Sequence, residues 1–261
     1  MDAPSPRFWS LFFELYEDLP RQGPGNRACA ERALALCRDL PPAPAILDLG
    51  CGVGGQTLHL AELSSGPIVA VDSHAPSIRR LQSAIAARGL SARVSAFAGD
   101  MARTNLPPAS FDLVWSEGAL YNLGIPYALS LCRELLRPGG FLAFTDAVWL
   151  KDDPPAEIKS GFDADYPGMA RIEDDLAAIR DAGFVLSGHF PLPDEAWWTD
   201  FYTPMEARIA SMRAKYSADP EASSVLDLLA AEPELHRRHS SFYAYEFFVA
   251  RLPKKNSEMP P

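Results

Sequence analysis

The sequence predicts an α/β fold, with helices on both faces of a mostly parallel sheet of seven strands. Short apolar runs alternate with segments of helical periodicity through residues 41–192, and a final apolar run follows within 241–252. Strands that alternate with helices pair in parallel, because each connecting helix packs on a face of the sheet. Helical segments also occupy residues 1–40 and 193–240, so N-terminal helices and a helical cap inserted before the last strand complete the predicted fold.

Each element of the core is predicted from its apolar period and its end signals. The seven strands are expected at residues 45–49, 68–72, 93–98, 111–115, 141–149, 184–190 and 241–250. Helices are expected at residues 56–63, 75–88, 127–137 and around 172–179. Gly89, Pro138 and Gly183 follow three of these helices, and glycine or proline in that position ends a helix.

The whole chain, residues 1–261, is predicted to form one domain with two helical additions. Two helices are expected within residues 1–40, separated by a segment rich in proline and glycine at 20–25. The core comprises residues 41–192 and 241–252, and the cap comprises residues 193–240. The polar tail at 253–261 is expected to lack regular structure.

The composition argues against several classes of partner. A net charge of −10 and a pI of about 5.0 disfavour nucleic-acid binding, which needs a basic surface. No run of about 18 uncharged apolar residues is present to span a membrane, and the acidic N-terminus does not resemble a signal peptide. The four cysteines form no C-x-x-C pair, which fits reduced thiols in the cytoplasm. The sequence leaves open whether the protein is a monomer or a homodimer.

A glycine-rich loop after the first strand carries the strongest functional signal. Asp48 lies in the strand, Gly50, Gly52 and Gly54 follow it, and a helix then begins. Glycines allow a sharp turn and the close approach of a ligand, and the free N–H groups of the helix attract polar groups. Asp72 closes the next strand, near the spacing of about 20 residues expected for a ribose-binding carboxylate.

The loop alone is compatible with two kinds of cofactor. Gly50, Gly52 and Gly55 match G-x-G-x-x-G, so an NAD(P)-dependent oxidoreductase is one alternative. Asp48 disfavours it, because a carboxylate two residues before the first glycine repels a pyrophosphate and suits a cationic group. In addition, no Tyr-x-x-x-Lys pair follows the loop for hydride chemistry.

Five motifs, taken together, resemble those of class I S-adenosylmethionine (SAM)-dependent methyltransferases, which have a Rossmann-like fold. The first is Asp48-x-Gly50-x-Gly52-x-Gly54 and the second is Asp72. The other three lie at residues 97–101, 111–118 and 135–140. A narrower resemblance is to small-molecule methyltransferases of the ubiquinone and menaquinone biosynthesis type. Bacterial relatives with Arg-Gln-Gly-Pro-Gly and Trp-Ser-Glu-Gly-Ala-x-Tyr-Asn are also similar, and these motifs occur here at 21–25 and 115–122.

The resemblance implies a SAM-dependent methyltransferase that acts on a small molecule. It also implies that the glycine loop, the ends of the second, third and fourth strands, and the N-terminal turn hold the cofactor. The predicted cofactor-binding residues are Tyr16, Gln22, Asp48, Gly50, Cys51, Gly52, Gly54, Gln56, Thr57, Asp72, Ser73, Gly99, Asp100, Met101, Ser116 and Glu117. A SAM-binding protein without catalytic activity is a further alternative.

The methyl group of SAM is expected at the carboxyl ends of the first and fourth strands. Glu117 and Tyr121 are therefore the candidate catalytic residues. Three roles are open for Glu117: contact with the cofactor, general-base catalysis and support of the site. The predicted acceptor-binding residues are Tyr121, Asn122, Trp149 and Trp198, although tryptophans in a cap also commonly pack against a sheet.

No metal site is predicted. His236 and His239 lie three residues apart on an expected helix, but Arg237 and Arg238 between them would repel a dication. Methyl transfer from SAM needs little beyond proximity and orientation, so the predicted reaction does not require a metal.

Overall fold

The structure is a computed structural model that describes residues 5–254. Its helices are α1 (Pro6–Tyr16), α2 (Arg27–Leu36), α3 (Gly55–Leu63), α4 (Ala75–Ala87), α5 (Ile125–Leu135), α6 (Ala156–Asp165), α7 (Ile172–Asp181), α8 (Glu195–Trp197), α9 (Thr203–Lys215) and α10 (Pro220–His239). Its strands are β1 (Ile46–Leu49), β2 (Ile68–Asp72), β3 (Val94–Ala98), β4 (Phe111–Glu117), β5 (Leu136–Trp149), β6 (Ala170–Arg171), β7 (Val185–Pro191) and β8 (Tyr243–Arg251). Short 3-10 helices lie at Met101–Arg103 and Leu120–Leu123, and a π-helix lies at Trp198–Tyr202. From residue 255 on, the predicted tail lies outside the described residues.

One sheet contains all the strands in the order β3-β2-β1-β4-β5-β8-β7, with β6 paired to the end of β5. The strands from β3 to β5 are parallel to their neighbours, whereas β8 is antiparallel to both β5 and β7. The predicted α/β fold with a mostly parallel sheet is confirmed. The strand order reverses beside β1, and such a reversal creates a crevice at the carboxyl ends of β1 and β4.

Apolar side chains pack on both faces of this sheet. On one face, helices α2, α3 and α4 cover a cluster that includes the fully buried Leu81 and Trp115. On the other face, α5 and α7 cover a cluster that includes Leu129 and Phe144. The sheet is therefore the middle layer of three, and its burial holds the strand ends in fixed positions.

A third cluster joins the cap to α1. Leu11 and Leu15 of α1 are buried together with Ile209 of α9 and Leu226 of α10. The segment expected as a cap is thus helical and packs against the N-terminal helix. The assignment of residues 1–261 to a single domain stays a prediction.

Two elements differ from the sequence prediction. Helix α6 was not expected, because Gly161 interrupts a short segment in which charged residues obscure the helical period. The two-residue strand β6 was not expected either. In addition, α5 ends at Leu135 rather than at residue 137, because Pro138 disfavours a helical conformation in the residue before it and Leu136 is already extended.

The helices of residues 5–254 include none that is both long and apolar enough to cross a bilayer. Helix α10 is the only one of them with 20 residues, and its last turn carries His236, Arg237, Arg238 and His239.

Truncation of a buried side chain in α10 should destabilise the protein, because that helix shares its core with α1 and α9. Leu226 is fully buried, whereas Leu228 on the same helix is 66% exposed. We expect Leu226→Ala to lower the free energy of unfolding by about 2–5 kcal/mol. Leu228→Ala is the matched control and should change it by less than about 0.5 kcal/mol. Urea denaturation followed by circular dichroism measures both, and equal effects would contradict the packing described here.

Candidate functional site

A cavity of about 700 Å³ lies where the carboxyl ends of β1 and β4 meet the cap. This volume is within the range of roughly 300–1,000 Å³ that is typical of small-molecule sites. The loop end of the cavity is lined by Arg21, Gln22, Gly50, Cys51, Gly52, Val53, Gln56, Asp72, His74 and Glu117. The cap end is lined by Tyr16, Tyr121, Phe162, Asp165, Tyr166, Trp197, Phe201, Tyr202, Glu232, Tyr243 and Tyr245.

Two glycines of the loop have no room for a side chain. Gly50 and Gly52 have φ values of 71° and 53°, in the left-handed region that favours glycine. A Cβ atom on Gly50 would collide with Ala119, and one on Gly52 would collide with Gln22. Both glycines line the cavity, so the main chain of the loop forms its wall.

Asp72 lies beside this wall at the end of β2. The N–H groups of Gly52 and His74 each donate to one of its carboxylate oxygens, at 2.8 Å. These bonds fix the carboxylate in place, and each oxygen keeps a further lone pair. Since Asp72 lines the cavity, it can also accept hydrogen bonds from ligand hydroxyl groups.

Residues 17–26 form the N-terminal strap, which links α1 to α2 and packs on the glycine loop. The N–H of Val53 donates to Gln22 Oε1 at 3.1 Å. Gln22 Nε2 in turn donates to the carbonyl of Tyr16 at 3.2 Å and to the hydroxyl of Ser77 at 3.4 Å. Gln22 therefore ties the strap to the loop.

A buried ion pair joins the strap to β4. Arg21 Nη2 lies 2.7 Å from Glu117 Oε2, and the two side chains are 4% and 2% exposed. Trp115 Nε1 donates to the other oxygen of Glu117 at 2.8 Å. Because both oxygens are engaged, this geometry favours support of the site over general-base catalysis for Glu117.

One nitrogen of Arg21 has no partner within residues 5–254. Arg21 Nε and Nη2 donate to the carbonyls of Gly23 and Pro24, both at 3.3 Å, but Nη1 is buried and makes no hydrogen bond. An unsatisfied buried donor costs about 1–3 kcal/mol, and more if it is charged. Arg21 lines the loop end of the cavity, so its guanidinium is suited to an anionic group of a ligand.

Asp48 is buried below the loop and is not part of the cavity lining. Thr57 Oγ1 donates to its Oδ2 at 2.5 Å, and Gln56 Nε2 donates to its Oδ1 at 3.5 Å. Burial raises the pKa of Asp48 to about 7, although the hydrogen bond from Thr57 opposes the rise. The geometry favours a role in holding the first turn of α3 over the direct contact with a cationic ligand that was expected from the sequence.

The cavity brings together part of the predicted site. Its lining includes the predicted residues Tyr16, Gln22, Gly50, Cys51, Gly52, Gln56, Asp72, Glu117, Tyr121 and Asn122. It does not include Asp48, Gly54, Thr57, Ser73, Gly99, Asp100, Met101, Ser116, Trp149 and Trp198. Gly99 lies next to the lining, because its N–H donates to the carbonyl of Asp72 at 2.9 Å. The binding roles of all these residues stay predictions.

Two neighbouring tryptophans of the cap have different surroundings. Trp197 is 5% exposed and lines the cavity. Trp198 instead lies against Arg237, whose guanidinium carbon is 4.4 Å from the ring centroid, and its Nε1 donates to Asp194. Adjacent residues of a helix point in different directions. The geometry therefore favours Trp197 over Trp198 as the residue that contacts the methyl acceptor. Trp149 lies outside the lining and packs on Phe162.

Three aromatic residues of the cap end, Phe162, Tyr166 and Tyr245, were not predicted from the sequence. Phe162 lies in α6 and Tyr166 directly follows it, and this helix was not predicted. The hydroxyl of Tyr166 donates to the buried Asp146 at 2.8 Å. The place of Tyr245 could have been predicted from the sequence. Tyr243 and Tyr245 are two residues apart on β8, so they lie on the same face of the sheet.

Comparison with known proteins identifies the core that carries this site. A family model described as a methyltransferase domain matches residues 46–140. Residues 46–140 are thus similar to methyltransferase domains. The match begins with β1 and ends within β5, so it includes the glycine loop, Asp72 and Glu117.

Similar proteins extend the comparison beyond the matched residues. A sterol 24-C-methyltransferase from Gibberella zeae is 26% identical over 174 residues, which cover 63% of this chain and 45% of that protein. A dimethylglycine N-methyltransferase from Parasynechococcus marenigrum is 32% identical over 116 residues, which cover 44% of this chain and 41% of that protein. The chain thus spans less than half the length of these two curated relatives.

A solved structure shows the same fold over nearly the whole chain. It is a SAM-dependent methyltransferase from Geobacter sulfurreducens in complex with S-adenosyl-L-homocysteine, with a TM-score of 0.78 and 18% identity. The alignment covers 95% of this chain and 98% of that one. The predicted Rossmann-like fold is therefore confirmed, and these comparisons do not support the alternative of an NAD(P)-dependent oxidoreductase.

The raised pKa of Asp48 predicts a pH dependence of stability. Below about pH 3 both states hold the proton, whereas between about pH 4 and pH 7 the unfolded chain has lost it and the native state keeps it. Asp48 therefore makes the wild type less stable as the pH rises through this range. Asp48→Asn cannot ionise, so its stability relative to wild type should increase from about pH 4.5 to about pH 7.5. Urea denaturation at a series of pH values tests this, and parallel curves for the two proteins would contradict it.

Proposed function

We propose that the protein binds SAM at the loop end of the cavity and transfers its methyl group to a small molecule at the cap end. The observation that carries this proposal is the buried Nη1 of Arg21, a charged donor without a partner in residues 5–254, close to the glycine loop and Asp72. SAM carries a carboxylate and a ribose diol, and these are the groups that Arg21 and Asp72 are suited to bind.

The residues of the loop end fit the cofactor in three respects. Arg21 Nη1 would hold the carboxylate of the methionine end, and Asp72 would accept hydrogen bonds from the ribose hydroxyls. The main chain at Gly50 and Gly52 would lie against the ligand, where a side chain has no room. SAM supplies an activated methyl sulfonium, so the residues of the chain mainly have to align the acceptor with it.

The cap end would hold the acceptor and exclude water. Its lining is mainly aromatic, and a dry site strengthens the electrostatic interactions within it. Tyr121 and Asn122 lie on the 3-10 helix that follows β4, where they would contact the acceptor close to the methyl group. Burial raises the pKa of Tyr121, so its hydroxyl stays protonated and can donate a hydrogen bond to the acceptor.

The relatives support a small-molecule acceptor. Their names specify a sterol and dimethylglycine, which are both small molecules. Binding of the cofactor at the loop end does not require an aromatic pocket at the cap end. The presence of that pocket therefore favours an active enzyme over a SAM-binding protein without activity.

The other partner assignments stay part of this proposal. The net charge of −10 supports the absence of a nucleic-acid partner. The four cysteines are free and buried, which fits the reducing conditions of the cytoplasm. A monomer and a homodimer both remain compatible with the site, because the described residues of one chain supply both ends of the cavity.

Binding of S-adenosylhomocysteine tests the assignment of the loop end. We expect isothermal titration calorimetry to give roughly micromolar affinity for the wild type. Gly52→Val should abolish binding, because a side chain at this left-handed position displaces Gln22 and fills the wall of the site. Gly161→Val is the matched control, since a Cβ at that cavity-lining glycine meets no atom within 4 Å. Undiminished affinity in a folded Gly52→Val variant would contradict the assignment.

A further inference from the structure

The cap end of the cavity carries negative charge without a balancing cation. Glu232 of α10 and Asp165 of α6 both line it, and neither makes an ion pair with any residue in 5–254. Arg21 and His74 are the basic side chains in the described lining, and both belong to the loop end. Arg21 is paired with Glu117, and His74 lies 2.7 Å from a carboxylate oxygen of Glu17.

Two phenol hydroxyls hold the carboxylate of Glu232. Tyr16 donates to Oε2 at 3.0 Å, and Tyr202 donates to Oε1 at 3.1 Å. These bonds fix the carboxylate but bring no positive charge to it. Burial raises the pKa of Glu232, the two hydrogen bonds oppose the rise, and the charge of Asp165 adds to it. Glu232 is an exposed residue of the cavity lining, and no cation of residues 5–254 forms an ion pair with its carboxylate.

Aromatic rings line the same end of the cavity as this carboxylate. The ring of Trp197 lies 5.8 Å from that of Tyr202 and 5.1 Å from that of Tyr245, measured between centroids. Phe201 stacks on Tyr202 at 4.7 Å. The faces of aromatic rings attract cations, and their carbon surface accepts apolar groups.

The rings continue from Glu232 to the end of β4. A Cβ atom placed on Gly118 would lie 3.2 Å from the ring of Tyr245, so that ring packs directly beside the residue that follows Glu117. Tyr121, on the other side of Gly118 in sequence, lies 4.8 Å from Tyr166 between ring centroids. The wall of rings thus extends from Tyr202, which holds Glu232, to the strand ends at which the methyl group is expected.

We propose that the acceptor is an amine on an apolar body, and that Glu232 and the surrounding rings recognise its nitrogen. This inference rests on the proposed function and names its substrate class. Carboxylates without a paired cation in an aromatic lining suit a cation with apolar substituents, and of the two Glu232 is the one that phenol hydroxyls hold in place. An amine that also carries a carboxylate or a phosphate would find no free cation at the cap end, so the second charge would lose its hydration without compensation.

Glu232 can also accept the proton of the amine. An amine that enters protonated gives this proton to the Glu232 carboxylate, which frees its lone pair. The lone pair forms the new C–N bond while the S–C bond of the sulfonium breaks with its electron pair on sulfur. The positive charge thereby moves to the methylated nitrogen, which the rings then surround. The raised pKa of Glu232 lets it hold the proton more readily than a glutamate with the ordinary pKa does.

Three probes with the same octyl chain and different head groups test this inference: octyltrimethylammonium, 1-octanol and octanoate. Isothermal titration calorimetry should show that the wild type binds the ammonium at least about tenfold more tightly than the alcohol, and the carboxylate more weakly than the alcohol. Glu232→Gln keeps the shape of the side chain and its carbonyl acceptor. It should lower the affinity for the ammonium at least about tenfold and leave that for the alcohol within about twofold.

Glu234→Gln is the matched control. Glu234 lies on the same helix, but it pairs with Arg237 and Arg238 outside the cavity, so the affinities for all three probes should stay at wild-type values. Equal affinity of the wild type for the three head groups would overturn the inference. Unchanged affinity for the ammonium in a folded Glu232→Gln variant would overturn it as well.

Titration of S-adenosylhomocysteine into the same proteins separates this inference from the function on which it rests. Normal cofactor binding without preference for the ammonium would overturn the substrate class and leave the cofactor site intact. Absence of cofactor binding in the wild type would overturn the proposed function. The three probe titrations, made with and without S-adenosylhomocysteine, would still decide whether the cap end recognises a cation.

Discussion

The ion pair between Arg21 and Glu117 is the interaction on which the rest of the site depends. It attaches the strap, which has no helix or strand, to the end of the central strand β4. Both charges lose their hydration when they are buried, so each needs the other and its hydrogen-bond partners. Trp115 supplies one such partner to Glu117, and the carbonyls of Gly23 and Pro24 supply two to Arg21.

The cavity beside this pair has two chemical environments. On one side lie the glycine loop and Asp72, where main-chain N–H groups and a fixed carboxylate face a polar ligand. The cap end has aromatic rings together with Glu232 and Asp165, so apolar surface dominates there and the charges are negative. The division explains how one cavity can hold a polar cofactor and an apolar acceptor, since each group meets the surroundings that its own solvation requires.

Local features of the sequence were sufficient to predict the core. Apolar runs specify the strands, glycines specify the loop, and the distance from the loop to Asp72 follows from one strand–helix–strand unit. The burial of Asp48 could not be predicted, because it depends on the pairing of β1 with strands on both sides. Which of Trp197 and Trp198 lines the cavity depends on how their helical segment is oriented. Arg21 and Glu117 are 96 positions apart in the sequence, so their contact could not be predicted either. Features of this kind arise only when distant segments pack together.

The central claim is that the free Nη1 of Arg21 binds the carboxylate of the cofactor, and one comparison of affinities tests it most directly. 5′-Methylthioadenosine shares the adenosine and the sulfur of S-adenosylhomocysteine but lacks its amino acid end. The double variant Arg21→Met with Glu117→Gln removes both charges, so no unpaired charge stays buried. Calorimetry should show that the wild type prefers S-adenosylhomocysteine by at least about tenfold, as expected for hydrogen bonds to a charged group. The double variant should lose most of this preference and still bind 5′-methylthioadenosine, whereas an undiminished preference would contradict the account.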